Sequence, residues 1–460
     1  MKLELPIVDE SSSLRSDGSR NYVHPADVRG RYTRLRRLLF PLLIALYAAL
    51  PWIEVGGHPA IFLDVPARRF YLLGAVFNAQ DFWLVFFLLS GIGFSLILLT
   101  TLLGRVWCGY ACPQTVFLEG VFRRIERLIE GPRSARLRLR NAPLSWSKIG
   151  RRVLKHSLFI ASAALIAHLF LSYFVSLPSL WTMMQGSPVQ HPAAFAWVSV
   201  MTAVMYFNFA WFREQLCLIL CPYGRLQSAL LDEDTRVIGY DRRRGEPRGR
   251  EAGKGDCIDC RRCIVVCPTG IDIRQGLQID CIGCAACVDA CDEVMTKIGK
   301  PQGLVRYDSL RGLQGGKRRF WRPRLALYGL LGLIGFVVAT TAFRSRRPFE
   351  ANLLRASTAP YVVEAGRVRN SMVLHLINKY PETQTFRIEG KVPGVPGAES
   401  LLAQQRISLG PLQSQQIPWI VRVPSAKALQ VSSLELVIVP EGRERDEVQR
   451  VHAPFLAPGS

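Results

Sequence analysis

The chain has 460 residues, 49% of them hydrophobic, and 58 Lys and Arg against 36 Asp and Glu give it a formal net charge of +22. That length excludes one compact core, and the gathering of apolar residues into long runs excludes an ordinary soluble globule. Lys and Arg beside apolar runs act as topology signals, so the charge is read as that of a membrane protein and no nucleic-acid partner is expected.

Residues 1–36 are polar, broken by Ser11, Ser12, Ser13, Gly18 and Pro25, and basic at Arg29, Arg31, Arg34 and Arg36. They read as a cytosolic tail. The length before the first apolar run, with no small-residue cleavage site after it, argues against a removable signal peptide. Crossing a hydrocarbon core about 30 Å thick takes about 20 helical residues. Five stretches are expected to do so, near Leu38–Ile53, Phe82–Leu103, Val153–Val175, Ala193–Trp211 and Leu325–Phe343. The first is short and contains Pro41 and Pro51. Four of these spans fill residues 37–229 as two hairpins, and the fifth fills 324–344.

Loop charge sets the expected orientation in a bacterial inner membrane. The connection between spans two and three holds Arg123, Arg124, Arg127, Arg133, Arg136, Arg138 and Arg140, whereas residues 177–191 hold no Lys or Arg. The amino terminus is therefore expected inside, with residues 230–323 cytosolic and 345–460 periplasmic. Arg344, Arg346 and Arg347 oppose the last step, and Lys317, Arg318, Arg319, Arg322 and Arg324 oppose them in turn.

Span two ends in Cys108-Gly109-Tyr110-Ala111-Cys112-Pro113 and span four in Cys217-Leu218-Ile219-Leu220-Cys221-Pro222. This CxxxCP pair reads as an internal repeat, each copy leading into a surface helix, 113–130 and 222–232. Pro suits the first position of a helix, which sets Cys112 and Cys221 at helix N-termini, where the dipole is expected to lower a thiol pKa. Two thiolate pairs joined by the repeat would suit a soft ion such as Cu(I). Buried cysteines serving only as small apolar fillers are the alternative.

In span three, His156 and His168 are twelve residues apart and about 120° apart around the helix, so they form no one-face ligand pair. His168 reads as a hydrogen-bonded structural group. Met201 and Met205 in span four are one turn apart, a spacing that suits Cu(I) passage but more often fills a core. The loop Arg242, Arg243, Arg244, Arg248, Arg250 reads as a solvated retention signal, with docking of an acidic electron donor as the alternative.

Cys257, Cys260, Cys263 and Cys267, followed by Pro268, repeat as Cys281, Cys284, Cys287 and Cys291, followed by Asp292. CxxCxxCxxxC is the bacterial ferredoxin run, in which three thiolates hold one cubane cluster and the fourth ligates the other. Two [4Fe–4S] clusters are expected, one on Cys257, Cys260, Cys263 and Cys291 and the other on Cys281, Cys284, Cys287 and Cys267. Paired CxxC spacings also suit structural zinc, but zinc has no need of the third cysteine in each run. The twelve cysteines all lie between Cys108 and Cys291, which points to one reducing compartment.

The tail from about residue 348 has no cysteine. Its alternating runs Met372–Ile377, Thr385–Ile388, Trp419–Val423 and Leu434–Val439 are expected to be strands of an antiparallel sandwich. The fold class is thus an integral membrane helical protein with an inserted α+β ferredoxin domain and an exported immunoglobulin-like β-sandwich.

Nearly the whole chain resembles the membrane-bound CcoG family, also called FixG or RdxA. The resemblance runs through Pro51-Trp52-Ile53, the 62–70 segment from Phe62 to Phe70, Gln80-Asp81, Gly104–Thr115 with the first CxxxCP, the second CxxxCP, both ferredoxin runs and the exported tail. It implies a cupric reductase that makes Cu(I) for assembly of cbb3-type cytochrome oxidase. Copper is then substrate or transient ligand at Cys108, Cys112, Cys217 and Cys221, and the implied partners are membrane lipid, a copper transporter or chaperones and oxidase assembly factors. Two other readings stay open, a membrane relay between a quinol and a periplasmic reductase, and a non-enzymatic assembly scaffold. The electron donor and oligomeric state are not specified by the sequence.

Overall fold

In a computed structural model, the structure describes residues 22–78, 81, 83–251, 253–345, 347–356, 359–380, 382–392, 395–442 and 448–459. Ser11, Ser12, Ser13, Gly18, Gln80, Phe82 and Arg346 lie outside the described residues. The chain forms two compact units, Met1–Ala339 and Thr340–Ser460.

Among the described residues four helices, not five, are long and apolar enough to span a membrane: Trp83–Leu103, Trp146–Leu171, Pro192–Phe212 and Pro323–Arg344. The expected first span is the Arg31–Ala49 helix. Its opening two turns carry Arg31, Arg34, Arg36 and Arg37, so only residues 38–49 are apolar, about 18 Å at 1.5 Å per residue. It nonetheless runs beside span three. Tyr47 donates to the Ile166 carbonyl at 3.4 Å, and Tyr173 donates to the Tyr47 carbonyl at 2.6 Å. The helix therefore ends level with the C-terminal end of Trp146–Leu171.

This first helix has no side-chain cap of its own, because Gly30 stands at its N-cap. Asp289, from the Ala286–Lys297 helix, supplies one by accepting from Tyr32 N at 3.2 Å and Thr33 N at 2.7 Å. A carboxylate at a helix N-terminus satisfies free N–H groups and meets the positive end of the dipole. Any side chain at position 30 would strike Asp289.

The connection that follows the first helix carries a small sheet. Ile61–Asp64, Arg69–Leu72 and Ala75–Asn78 form a three-stranded antiparallel sheet, and Leu63 N donates to the Tyr173 carbonyl at 2.7 Å. Sheet and span-three end are thereby joined at the end of the helices remote from the cysteines.

The second unit is two antiparallel sheets. One orders Glu399–Leu402, Ser414–Pro424, Arg367–Asn378 and Phe349–Arg355, with Val362–Glu364 also on Arg367–Asn378. The other orders Arg406–Leu409, Gln384–Lys391, Ser433–Pro440 and Gln449–Pro454. All four expected strand runs fall inside these strands. Alternate residues face inward and close a core around Trp419, Phe386, Phe349, Leu374 and Leu436, as period-2 patterning dictates. Asn370, Asn378, Gln384 and Gln449 are buried polar groups of this unit, each hydrogen-bonded to a backbone carbonyl.

Candidate redox site

Strands Arg236–Tyr240 and Val305–Ser309 pair antiparallel and bring the two ends of the cysteine-rich segment together. Between them the two runs repeat in conformation as well as in sequence. Asp259 and Gly283, each just before the second cysteine of its run, have φ of 51° and 69°. Arg261 and Ala285, just after it, have φ of 54° and 59°. Left-handed residues set among right-handed ones curl the backbone into a concavity lined by N–H groups, a nest for an anionic centre. A short helix then starts in each run, Arg262–Val265 and Ala286–Lys297.

Two cavities lie inside these curls. Cys257, Cys260, Cys263 and Cys291 line one, with Tyr240, Met295 and Leu304. Cys267, Cys281, Cys284 and Cys287 line the other, with Ile238, Ile271 and Ile273, and Cys263 stands between the two. The walls are otherwise largely apolar, and Cys257, Cys263, Cys267, Cys284 and Cys287 are buried while Cys260 is exposed. Burial pushes the Cys263 and Cys281 thiols up to about 12, so binding of iron must displace protons from them. Among the described residues no three His, Cys, Asp or Glu side chains converge on a point that would hold one ion. Three close cysteines of one run and the fourth of the other line each cavity, the donor pattern that holds a cubane cluster at its corners. The donor set fits two [4Fe–4S] clusters.

The first CxxxCP motif rests on the Ile282–Gly283 loop, whose flanking Cys281 and Cys284 line the second cavity. Cys108 sits in the Val106–Tyr110 helix and Cys217 in the Leu216–Leu220 π-turn, while Cys112 and Cys221 are N-caps of helices that begin at Pro113 and Pro222. The repeat brings the four thiols together, each within electrostatic reach of the other three. Cys108 Sγ donates to Gln227 Oε1 at 3.3 Å. The expected low thiol pKa is not found at Cys112. Burial raises it, and the Gln114 and Thr115 N–H groups at the helix start offset that only in part. All four are free thiols.

Gly109 makes the junction. A Cβ there would stand 2.8 Å from the Gly283 carbonyl oxygen and 2.9 Å from that of Ile282, so only glycine lets the CxxxC turn rest on the loop between Cys281 and Cys284. Arg36 Nε donates to the Gly109 carbonyl at 3.1 Å from the other side. Arg105 Nη2 donates to the Gly224 carbonyl at 2.6 Å and Nη1 to Cys281 O at 3.3 Å, tying both CxxxCP helices to the ferredoxin loop.

Sequence comparison agrees with this geometry. A 4Fe-4S dicluster domain model matches residues 212–254 and 247–310, a 4Fe-4S binding domain model matches 82–132, and a model of the immunoglobulin-like fold at the C-terminus of FixG matches 339–458. The chain is 34% identical to the nitrogen fixation protein FixG of Rhizobium meliloti over 96% of this chain and 94% of that one. The chain belongs to the FixG/RdxA family. Protein RdxA of Cereibacter sphaeroides is 35% identical over 83% of this chain and 86% of its own. A crystal structure of a FixG-related protein from Vibrio parahaemolyticus matches 24% of this chain and 98% of that chain at 18% identity, with a TM-score of 0.20. This FixG-family chain is an iron–sulfur membrane protein of oxidoreductase type.

Several residues of this FixG-family chain have roles that spacing does not reveal. Arg213, 1% exposed, makes two hydrogen bonds to Glu126, at 3.0 and 3.3 Å, and Arg123 pairs with Glu214 at 3.2 Å. Arg136 stands 3.7 Å from Glu126. Three arginines that read as solvated topology charge or drew no reading are thus built into the interior. An adjacent Arg213-Glu214 pair at the end of an apolar span was the available signal. In the 242–250 loop Arg242, Arg243, Arg248 and Arg250 are exposed, as solvated charge should be, and two of its arginines also hold the fold. Arg244 pairs with Asp256 at 2.9 Å and donates to the Pro301 carbonyl, while Arg242 donates to Gln275 O, so this loop braces the domain. In the spans, His168 Nδ1 is 2.8 Å from the Ala164 carbonyl and His156 Nδ1 is 3.0 Å from Tyr206 Oη. Met205 packs in the core beneath Phe209. Asp292, the departure from the first run, accepts from Gly303 N at 2.8 Å and closes the next turn.

Proposed function

We propose that the chain delivers single electrons to an acceptor at the CxxxCP thiols, and that this acceptor is Cu(II), released as Cu(I) for assembly of the copper centre of a cbb3-type oxidase. The observation that supports it is the seat of Gly109 on the Ile282–Gly283 loop, which puts Cys108 beside the second cysteine-lined cavity. Cys257, Cys260, Cys263 and Cys291 would hold one [4Fe–4S] cluster, and Cys281, Cys284, Cys287 and Cys267 the other. When bound, the clusters store and release one electron each. Arg36 and Arg105 position the CxxxC turn, and the four soft thiols suit contact with copper as it gains an electron. By the loop charges the ferredoxin unit faces the cytosol and residues 345–460 the periplasm of the inner membrane. A copper carrier and oxidase assembly factors are the proposed partners.

The test uses the full chain purified without oxygen and reduced with dithionite. Cys108→Ser and Cys217→Ser are expected to keep wild-type iron and acid-labile sulfide yet lose reduction of Cu(II), followed with a Cu(I) chelator. Wild-type rates in both variants would sink the reading.

A further inference from the structure

Between the first helix, the 113–130 surface helix and the ferredoxin unit lies a cavity of about 240 Å³ lined by six arginines: Arg36, Arg37, Arg123, Arg124, Arg127 and Arg136. Only Asp27 and Glu119 among its lining residues are acidic. Asp27 pairs with Arg127 at 2.7 Å, and Glu119 pairs with Arg123. Glu214 and Glu126, behind the lining, also stand against Arg123 and Arg136, so among the described residues the surplus of positive charge rests on Arg36, Arg37 and Arg124. The cavity's deeper arginines, Arg36, Arg123 and Arg136, are 8%, 7% and 4% exposed. Arg36 Nη2, Arg123 Nε and Arg136 Nε are buried with no hydrogen-bond partner among the described residues. A buried guanidinium N–H without an acceptor is destabilising, the more so because the group is charged. Three such groups, on residues that line one cavity, leave this part of the structure with more buried donors than acceptors.

We propose that this cavity binds a phosphate-bearing anion. Guanidinium forks match phosphate oxygens in geometry as well as in charge. The position favours a phospholipid headgroup as the source. Phe40, in the first apolar turn of the Arg31–Ala49 helix, lines the cavity beside Arg36 and Arg37. Polar pocket and apolar helix thus meet where headgroups meet acyl chains, as in other basic pockets between membrane helices. Arg37 and Arg124 are exposed and stand at the mouth. The opposite wall is Val266, Pro268 and Ala286, with Arg123 Nη2 donating to the Pro268 carbonyl at 2.9 Å. On the cluster reading above, an anion seated here screens positive charge beside Cys267 and makes that cluster harder to reduce.

Binding is tested on the detergent-solubilised full chain by calorimetric titration with short-chain phosphatidylglycerol, short-chain phosphatidylcholine and inorganic phosphate. Arg37→Gln/Arg124→Gln removes two mouth charges, and Arg151→Gln/Arg152→Gln removes two from the exposed start of span three. At about 1 kcal/mol per basic residue, the first pair is expected to weaken phosphatidylglycerol binding about thirtyfold and the second to leave it unchanged. Phosphatidylglycerol binding more tightly than phosphate makes the source a lipid; equal binding of phosphate makes it a soluble anion. Absence of saturable binding by both anions, or equal loss in the two pairs, overturns the proposal, as does phosphatidylcholine binding as well as phosphatidylglycerol. This readout needs no cluster and no copper, so it stands or falls apart from the electron-transfer reading.

Discussion

Cys291→Ser is expected to remove the cluster of the first run and to leave that of the second. Cys291 lies in the second run, one helical turn after Cys287 in Ala286–Lys297, yet it lines the cavity with Cys257, Cys260 and Cys263. Cys267→Ser is expected to do the reverse, since Cys267 lines the cavity of Cys281, Cys284 and Cys287. In each variant about half of the iron and acid-labile sulfide should be lost, because each cubane carries half of the total. EPR of the reduced protein separates the outcomes: Cys291→Ser should match Cys257→Ser, and Cys267→Ser should match Cys281→Ser. Pairing the other way round would refute the crossed ligand sets. Stoichiometric zinc without sulfide in the wild-type chain would refute the clusters altogether. Reduction of Cu(II) should disappear with Cys267→Ser, whose cavity adjoins Gly109.

Glu126→Gln is expected to cost about 3–5 kcal/mol, the usual loss when one partner of a buried ion pair is removed. Glu126 is 1% exposed and is shared by Arg213 and Arg136, with Tyr22 also in contact. Neutralising it strands two buried guanidinium groups. Burial alone would raise the Glu126 carboxyl, but Arg213, Lys155, Arg123 and Arg136 outweigh burial and hold it below the ordinary carboxylate range. A depressed folded-state value stabilises fully above the unfolded value of about 4.3 and loses that stabilisation as pH falls below it. The apparent melting temperature of the detergent-solubilised chain should therefore drop in Glu126→Gln at pH 7, with the gap to wild type closing toward pH 3. Glu126→Leu/Arg213→Met, which removes both charges, should lose much less. A single variant that melts like wild type would show the network to be dispensable.

What the sequence discloses and what it hides follow from the range of the interactions. The cysteines sit at local, fixed spacings, so both runs are readable from Cys257 to Cys291, and the structure groups them around two cavities in the crossed manner that the spacing suggests. Strand alternation is equally local, and every expected strand of the second unit appears. The first span misleads because hydropathy counts Leu38–Ile53 as one run, while the helix it belongs to starts seven residues earlier among arginines and stops at Ala49. Buried charge is the least legible. Arg123 and Arg213 look like any basic flank until Glu214 and Glu126, 91 and 87 residues away, are brought against them. The thiol of Cys112 fails expectation for a related reason: a helix start is local, but the burial that overrides it is not.

The closeness of position 109 to the 281–284 loop leaves no slack between two modules with different work. A methyl group there would be a shim, parting donor and acceptor while touching neither iron nor sulfur. On the proposed route from the second cavity to the CxxxCP thiols, the spacing is thus set at a residue that has no side chain with which to react.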